Sequence, residues 1–373
     1  MKKTIQATLL TAAATAVLMG GSMSAMASSI KIGLAGPVSG PVAQYGDMQF
    51  IGAKMAIERI NAAGGVNGRM LEGVVYDDAC EPRQAVTVAN RIVNDGIQFV
   101  VGHLCSGSTQ PASDVYEDEG ILMITAASTS PAITEQGYQT IFRTIGLDSM
   151  QGPVAGNFIA DKIKPKNMAV IHDKQQYGEG IARAVRETAT ARGINVVMFD
   201  GINAGDRDFS AIISRMARQN VDFVYYGGYH PELGLMLRQA SEQGLKARFM
   251  GPEGVGNPDI SAIAGQASEG LLVTLPPAFE TDPRNADLVK AFEAKNQDPS
   301  GPFVMPAYTA VQLMVEGMKG TNSNDPEKVA DYLRSNTFET PIGQVQYDEK
   351  GDLKSFSFVV YTWHANGTRT KVN

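Results

Sequence analysis

Residues Ile97–Thr129 read IQFVVGHLCSGSTQPASDVYEDEGILMITAAST, and this stretch decides the fold class of the chain. An apolar run that ends at Val101 gives way to a small polar loop, and a helical segment opening with Pro111 is predicted to follow. A second apolar run, Ile121–Ile124, ends in another small polar loop. In a parallel sheet both loops emerge at the carboxyl ends of the strands, where open α/β sheets bind ligands. The stretch therefore predicts strand, loop, helix and strand, with a ligand site at one sheet edge.

Two side chains in these loops, Ser106 and Thr129, are candidates for an anion site. Unpaired backbone N–H groups at a helix start, joined by hydroxyl groups, suit a carboxylate or a phosphate. The alternative is that both residues only cap helices, a common role of Ser and Thr. The two interpretations remain open on these residues alone.

Strand-like and helix-like segments alternate along most of the chain. The pattern restarts near Leu147, and the tripeptide Gln-Tyr-Gly occurs in the loop after the first strand of each half, at Gln44–Gly46 and Gln176–Gly178. Near the carboxyl end a hairpin-like pair is predicted from Gly343–Tyr347 and Phe356–Trp363. Alternation of this kind is typical of α/β proteins with a parallel sheet. We therefore expect two doubly wound parallel-sheet domains.

The amino terminus has the pattern of a secretory signal peptide. Lys2 and Lys3 precede a mostly apolar or small run from Ile5 to Met19, and residues 25–27 form an A-x-A cleavage pattern. We expect residues 1–27 to be a signal peptide cleaved after Ala27, which leaves residues 28–373 in the periplasm. Because no Cys lies at the expected cleavage point, lipid anchoring there is not expected.

The charge of the chain argues against nucleic acid as a partner. The formal net charge is −7, with 32 Lys and Arg against 39 Asp and Glu, and removal of the two amino-terminal lysines would make it −9. An acidic chain without a basic block lacks the electrostatic footprint of a nucleic-acid-binding protein.

The chain has two cysteines, Cys80 and Cys105. In an exported protein such a pair predicts a disulfide. Closing the loop between Cys80 and Cys105 would stabilise the fold by about 3–4 kcal/mol in the chain-entropy model. Two thiolates without nearby His or Cys partners make a poor metal site, so no metal is expected.

Motifs of nucleotide-dependent and hydrolytic enzymes are missing from the sequence. It contains no G-x-x-x-x-G-K-[ST], no G-x-G-x-x-G after the first strand, no H-E-x-x-H and no G-x-S-x-G elbow. We therefore expect no cofactor and no catalytic residues. The rival hypothesis is an exported α/β hydrolase with Ser106 as nucleophile, served by His172 and Asp173.

Glu253 lies in a Gly/Pro loop at a predicted strand end. A carboxylate at this position would serve as counter-charge to an ammonium through a charge-assisted hydrogen bond, although simple solvent exposure is the alternative. Apolar and aromatic walls are offered by other loop residues, namely Tyr45, Leu104, Tyr177, Tyr229 and Phe303. Together with Ser106 and Thr129, these residues predict a site for a zwitterionic amino acid with an aliphatic side chain.

The chain resembles the periplasmic Leu/Ile/Val-binding proteins, the receptor components of branched-chain amino acid ABC transporters. The resemblance covers essentially all of residues 28–373, and the runs that carry it are GPVAQYGD (40–47), YDDAC (76–80), GHLCS (102–106), STQPASDVYEDEGILMIT (108–125), HDKQQYGEG (172–180), DFVYYGGYHPE (222–232), FMGPEGVGN (249–257) and WHANGT (363–368). It implies two type I lobes joined by three crossings, with the ligand in the cleft between them. The expected lobes are residues 28–147 plus 277–356, and residues 148–276 plus 357–373.

The resemblance also implies a role for each site residue. Ser106 and Thr129 bind the ligand carboxylate, while the Ala127 carbonyl, Thr129 and Glu253 take the ammonium. The side chain is surrounded by Tyr45, Leu104, Cys105, Tyr177, Tyr229 and Phe303, and Ser128 lies at the pocket wall, where relatives often have Ala or Gly. The family also carries the Cys80–Cys105 disulfide. A monomer that delivers branched-chain amino acids to an inner-membrane ABC permease is expected; the alternative ligands are phenylalanine, another amino acid or an amide.

Overall fold

The computed structural model describes residues 28–372. The predicted signal peptide, residues 1–27, lies outside the described residues. Within the described range, no helix combines the length and the apolar character needed to cross a bilayer.

The described chain alternates strands and helices. The strands are β1 (Ile30–Gly36), β2 (Leu71–Asp77), β3 (Phe99–Val101), β4 (Leu122–Thr125), β5 (Ile141–Arg143), β6 (Met168–His172), β7 (Val196–Gly201), β8 (Phe223–Gly227), β9 (Arg248–Gly251), β10 (Leu271–Leu275), β11 (Thr337–Thr340), β12 (Gly343–Gln346), β13 (Val359–Trp363) and β14 (Arg369–Lys371). The helices are α1 (Ala43–Ala62), α2 (Pro82–Asn94), α3 (Ser106–Asp118), α4 (Asp148–Phe158), α5 (Gln176–Ala191), α6 (Ser210–Arg218), α7 (His230–Glu242), α8 (Asp259–Ala264), α9 (Ala286–Glu293), α10 (Val304–Thr321) and α11 (Pro326–Ser335).

The first lobe is built on a five-stranded parallel sheet in the order β2-β1-β3-β4-β5. Along β1, Ile30, Ile32 and Leu34 pack into the core formed with α1, α10 and α11, whereas Ala35 packs on the opposite side with α2 and α3. Alternate side chains of a strand point to opposite faces, so helices cover both faces of this sheet. The first lobe is therefore doubly wound, as predicted.

The second lobe is built on a seven-stranded sheet in the order β14-β13-β10-β9-β8-β6-β7. Strands β6 to β10 are mutually parallel, and β13 runs antiparallel to both β10 and β14. Both faces of this sheet carry apolar cores, one of which includes Trp363 and Tyr361 while the other includes Val360. The chain passes between the two sheets three times: after β5, after β10 and before β13.

The predicted pairing of Gly343–Tyr347 with Phe356–Trp363 is wrong. Strand β12 pairs antiparallel with β11, and β13 joins β10 in the second lobe. The predicted turn does exist, because Asp348 donates its backbone N–H to the carbonyl of Asp352 at 2.9 Å. Beyond that turn the chain leaves the first lobe, and β13 packs into both cores of the second lobe, with Tyr361 and Trp363 in one and Val360 in the other.

The helix predicted to open with Pro111 begins five residues earlier, at Ser106. The carbonyl of Cys105 accepts the backbone N–H of Thr109 at 2.9 Å, which closes the first turn before the proline. Pro111 cannot donate to the carbonyl of Gly107, but a single missing bond does not end the helix here. This shift places Ser106 in the first turn of α3.

The predicted disulfide between Cys80 and Cys105 is confirmed, with the two Cα atoms 5.6 Å apart. It fastens the residue before α3 to the segment that follows β2. Replacing both cysteines with serine is expected to lower the free energy of unfolding by about 3–4 kcal/mol, because the unfolded chain gains entropy. Urea unfolding of the oxidised protein and of the double variant measures this difference. A change below about 1 kcal/mol would contradict it.

Candidate functional site

Ser106 and Thr129 lie side by side at the carboxyl edge of the first sheet, as the sequence predicts for these two loops. Ser106 follows β3 at the start of α3, Thr129 follows β4, and both are buried. The N–H of Ser130 donates to Oγ of Ser106 at 3.4 Å and joins the two loops. The hydroxyl of Thr129 is buried near the carboxyl group of Asp148 and forms no hydrogen bond of ordinary geometry with any described residue. A buried hydroxyl of this kind needs a partner, and a ligand oxygen or nitrogen would supply one.

A buried arginine holds the Thr129 loop in place. The guanidinium of Arg143 donates to the carbonyl of Ser128 at 2.6 Å and to that of Ser130 at 3.2 Å, on either side of Thr129. Its Nε donates to the carboxylate of Asp352 at 2.6 Å, so the charge is paired. The Arg143–Asp352 ion pair therefore stabilises the loop conformation that presents Thr129.

The side chain of Ser128 connects the two loops. Its hydroxyl donates to the carbonyl of Leu104 at 2.9 Å and lies 2.5 Å from the hydroxyl of Thr109. Any contact of Ser128 with a ligand would therefore involve its backbone or Cβ. Ala127 precedes it and packs in the same apolar cluster as Leu104 and Cys105.

Aromatic residues from both lobes meet in that cluster. The ring centroid of Tyr45 lies 5.4 Å from that of Phe303 and 6.3 Å from that of Tyr229, and Tyr177 lies 5.2 Å from Tyr229. The peptide of Gly254 is held by two tyrosines, because its carbonyl accepts from Tyr45 at 2.8 Å and its N–H donates to Tyr177 at 3.0 Å. All the predicted wall residues thus surround one region between the lobes.

The glycines of the two Gln-Tyr-Gly tripeptides allow this arrangement. A Cβ at Gly46 would lie 1.8 Å from the carbonyl oxygen of Pro37, and one at Gly178 would lie 2.6 Å from that of Gly227. Helix α1 can therefore approach the end of β1, and α5 the end of β8, only because glycine lacks a Cβ. Tyr45 and Tyr177, which each precede one of these glycines, are consequently held close to a strand end, one in each lobe.

Two buried carboxyl groups, those of Glu253 and Asp148, lie beside this region, and neither forms a salt bridge within residues 28–372. Oε2 of Glu253 and both carboxyl oxygens of Asp148 are buried without hydrogen-bond partners among the described residues. Burial, and to a smaller extent the nearby Asp148, raises the pKa of Glu253 to about 8. Burial likewise raises the pKa of Asp148 to about 7, against the opposing effects of Thr129 and Arg143. An ammonium group between them would lower both pKa values and restore the ionised forms.

Asp148 was not among the residues predicted from the sequence. It is the first residue of α4, and its backbone N–H donates to the carbonyl of Thr129 at 2.9 Å. In the sequence Asp148 directly follows Leu147, near which the alternation of strands and helices restarts. It therefore looks like an ordinary residue in a connection between two domains. An acidic residue at a helix start was the only signal, and such residues usually act on the helix dipole.

A cavity of about 260 Å³ opens between the lobes next to the aromatic wall. Its lining includes Cys105, Tyr177, Tyr229, Asp173 and Glu232, whereas Ser106, Thr129 and Glu253 do not line it. Among residues 28–372, no group of three or more His, Cys, Asp and Glu side chains could hold a metal ion.

The geometry disfavours the hydrolase hypothesis. His172 makes its contacts within the second lobe, where its Nδ1 accepts the backbone N–H of Lys174 at 3.1 Å and its ring centroid lies 5.1 Å from that of Phe199. His103, which lies closer in sequence, is bound on both ring nitrogens, by Asp78 at 2.6 Å and by Tyr116 at 2.9 Å. In the described part of the chain, Ser106 therefore lacks the adjacent base that an activated serine requires.

Comparisons with known proteins agree with this geometry. The family model of the periplasmic binding proteins matches residues 29–368. The chain is 64% identical over 372 residues to the leucine-, isoleucine-, valine-, threonine- and alanine-binding protein of Pseudomonas aeruginosa, covering 100% of both chains. It is 57% identical to the Leu/Ile/Val-binding protein of Escherichia coli strain K12, covering 93% of this chain and 94% of the relative.

Solved structures show the same fold. The isoleucine complex of LivJ, the branched-chain amino acid transporter substrate-binding protein of Streptococcus pneumoniae, matches with a TM-score of 0.84 and 27% identity, over 92% of this chain and 99% of that one. The leucine-binding protein LivK of Thermotoga maritima matches with a TM-score of 0.86 and 27% identity, over 92% and 98%. The resemblance noted in the sequence is thus confirmed, and the chain belongs to the periplasmic binding protein family, with the type I fold.

Proposed function

We propose that this protein is a periplasmic receptor that captures leucine, isoleucine and valine by closure of its lobes and delivers them to an inner-membrane ABC permease. The observation that carries the proposal is the presence of two opposite subsites side by side, since Asp148 of one donates its backbone N–H to the carbonyl of Thr129 of the other at 2.9 Å. Hydroxyl and N–H groups at Ser106 and Thr129 suit a carboxylate, and the buried carboxyl groups of Glu253 and Asp148 suit an ammonium. The relatives named above, which bind these amino acids according to their names, support the same assignment.

The proposed lobes are residues 28–147 with 277–356, and residues 148–276 with 357–373. The first lobe would bind the amino acid carboxylate through Ser106 and Thr129, with the Ala127 carbonyl and Thr129 also facing the ammonium. The second lobe would then close and add Tyr177, Tyr229 and Glu253. Closure of this hinge type is driven by contacts that only the closed form makes.

The proposed preference for branched aliphatic side chains follows from the apolar and aromatic residues around the site. Tyr45, Leu104, Cys105, Tyr229 and Phe303 offer an apolar surface that matches branched aliphatic groups. No step of the proposed function requires a nucleophile or a general base, so we propose that the protein is not an enzyme. We further propose that it acts as a monomer, exported after cleavage at Ala27.

Calorimetric titration of ligand-stripped mature protein with a panel of small molecules tests this function. Leucine, isoleucine and valine are expected to bind tightly at 1:1 stoichiometry, because their side chains fit the aromatic wall. Phenylalanine is expected to bind about tenfold more weakly or worse, since a larger ring would push on that wall, and acetamide is expected not to bind. Binding of phenylalanine or acetamide alone would contradict the proposed ligand class.

A further inference from the structure

The lobes also contact each other outside the proposed ligand site, at the start of α5. Nε2 of Gln176 donates to Oε1 of Gln110 on α3 and to Oγ of Ser130 at 3.1 Å in the loop after β4. A primary amide has two N–H groups, and both are used here across the cleft. We call Gln176, Gln110 and Ser130 the glutamine latch.

The latch connects the segments that carry the site. Gln176 immediately precedes Tyr177, whose hydroxyl accepts the N–H of Gly254 at 3.0 Å. On the other side of the cleft, Ser130 donates its N–H to Ser106 at 3.4 Å. Because its members belong to different sheets, the latch can form only when the lobes are together.

We infer that the glutamine latch stabilises the closed form and thereby determines how tightly every ligand is held, without selecting among ligands. This inference rests on the proposed function, that is, on closure over an amino acid. When only the closed form holds ligand fully, the apparent dissociation constant is the intrinsic constant divided by the closed fraction. The Gln176 amide nitrogen is fully occupied by Gln110 and Ser130, so a change in the latch multiplies all dissociation constants by one factor.

Titration of Gln176→Ala with leucine, isoleucine and valine tests the inference. All three dissociation constants are expected to rise by the same factor, about three- to tenfold, the range for loss of ordinary hydrogen bonds. In stopped-flow measurements the dissociation rate constant is expected to rise while the association rate constant stays nearly the same, because the first encounter with the open form does not involve the latch. Gln110→Ala should act in the same direction, and the double variant should lose less than the product of the two single effects.

Gln136→Ala is the matched control. Its Nε2 also makes two hydrogen bonds, to Ser113 at 3.1 Å and to the carbonyl of Ile133 at 3.2 Å, but all three residues lie in the first lobe. Its dissociation constants are expected to stay within about twofold of the wild type.

Two results would overturn the inference while leaving the proposed function intact. The first is that the wild type binds leucine and the Gln176→Ala variant binds it with equal affinity. The second is that the substitution changes the dissociation constants of the three amino acids by clearly different factors. The second result would mean that Gln176 contacts the ligand side chain directly. A wild type that binds none of the three amino acids would instead overturn the proposed function together with the inference.

Discussion

Replacement of Glu253 by alanine is expected to weaken leucine binding by about 3–5 kcal/mol, which is more than a hundredfold in the dissociation constant. Glu253 is 1% exposed, and one of its carboxylate oxygens has no partner among the described residues. Without its charge, the ammonium of a bound amino acid would be buried opposite Asp148 alone. The loss is therefore the cost of leaving a buried charge poorly paired.

Two further variants separate charge from volume. Glu253→Gln keeps the shape of the side chain and is expected to lose nearly as much affinity as Glu253→Ala. Glu269→Gln is the control, because Glu269 is also in the second lobe but lies outside the cavity, with Oε1 2.8 Å from Nδ1 of His364 and Oε2 accepting the N–H of Ala365 at 2.8 Å. The control is expected to change affinity by less than about threefold. Calorimetry that gives equal dissociation constants for Glu253→Gln and Glu269→Gln would contradict the role assigned to Glu253.

Replacement of Arg143 by methionine is expected to lower the free energy of unfolding by about 3–5 kcal/mol. Methionine keeps much of the volume but leaves the buried carboxylate of Asp352 unpaired and removes the donors to the carbonyls of Ser128 and Ser130. Urea unfolding followed by circular dichroism measures the change. Leucine affinity should fall as well, because the loop that presents Thr129 loses its support.

Two control variants test whether the loss of stability is specific to the buried Arg143 or would follow the loss of any arginine. Arg91→Met removes an exposed pair in which Nε lies 3.9 Å from Asp95, and it is expected to change stability by less than about 1 kcal/mol. The double variant Arg143→Met with Asp352→Leu is expected to recover part of the stability, because it leaves no unpaired buried charge. An Arg143→Met protein as stable as Arg91→Met would contradict the account.

Local patterns in the sequence carried most of the fold prediction. Alternation of apolar runs with helical spacing predicted the doubly wound class of both sheets, because both faces of each parallel sheet are covered, but it did not single out β5, α4 or β14. The exceptions were features that depend on distant partners. Pro111 suggested a helix start, but the turn closed upstream through Cys105. The pairing of β13 depended on β10, which lies far away in sequence.

The candidate site divides in the same way. Ser106, Thr129 and Glu253 could be proposed from the sequence because each follows a recognisable strand. Contacts between the lobes could not be proposed from the sequence, because they join residues far apart in the chain. Tyr45 and Gly254 are 209 positions apart, and Gln176 and Gln110 are 66 apart. No short-range spacing indicates such contacts, and Asp148 acquires its place beside Glu253 only when the chain crosses between the sheets.

A crystal structure of the mature protein with L-leucine would test the central claim most directly. The account predicts that the leucine carboxylate lies within hydrogen-bond distance of Ser106 and Thr129, and that the ammonium lies within hydrogen-bond distance of Glu253. The side chain should lie against Tyr45, Tyr177, Tyr229 and Phe303. Leucine bound elsewhere, or bound between the lobes with its ammonium directed away from Glu253, would contradict the account.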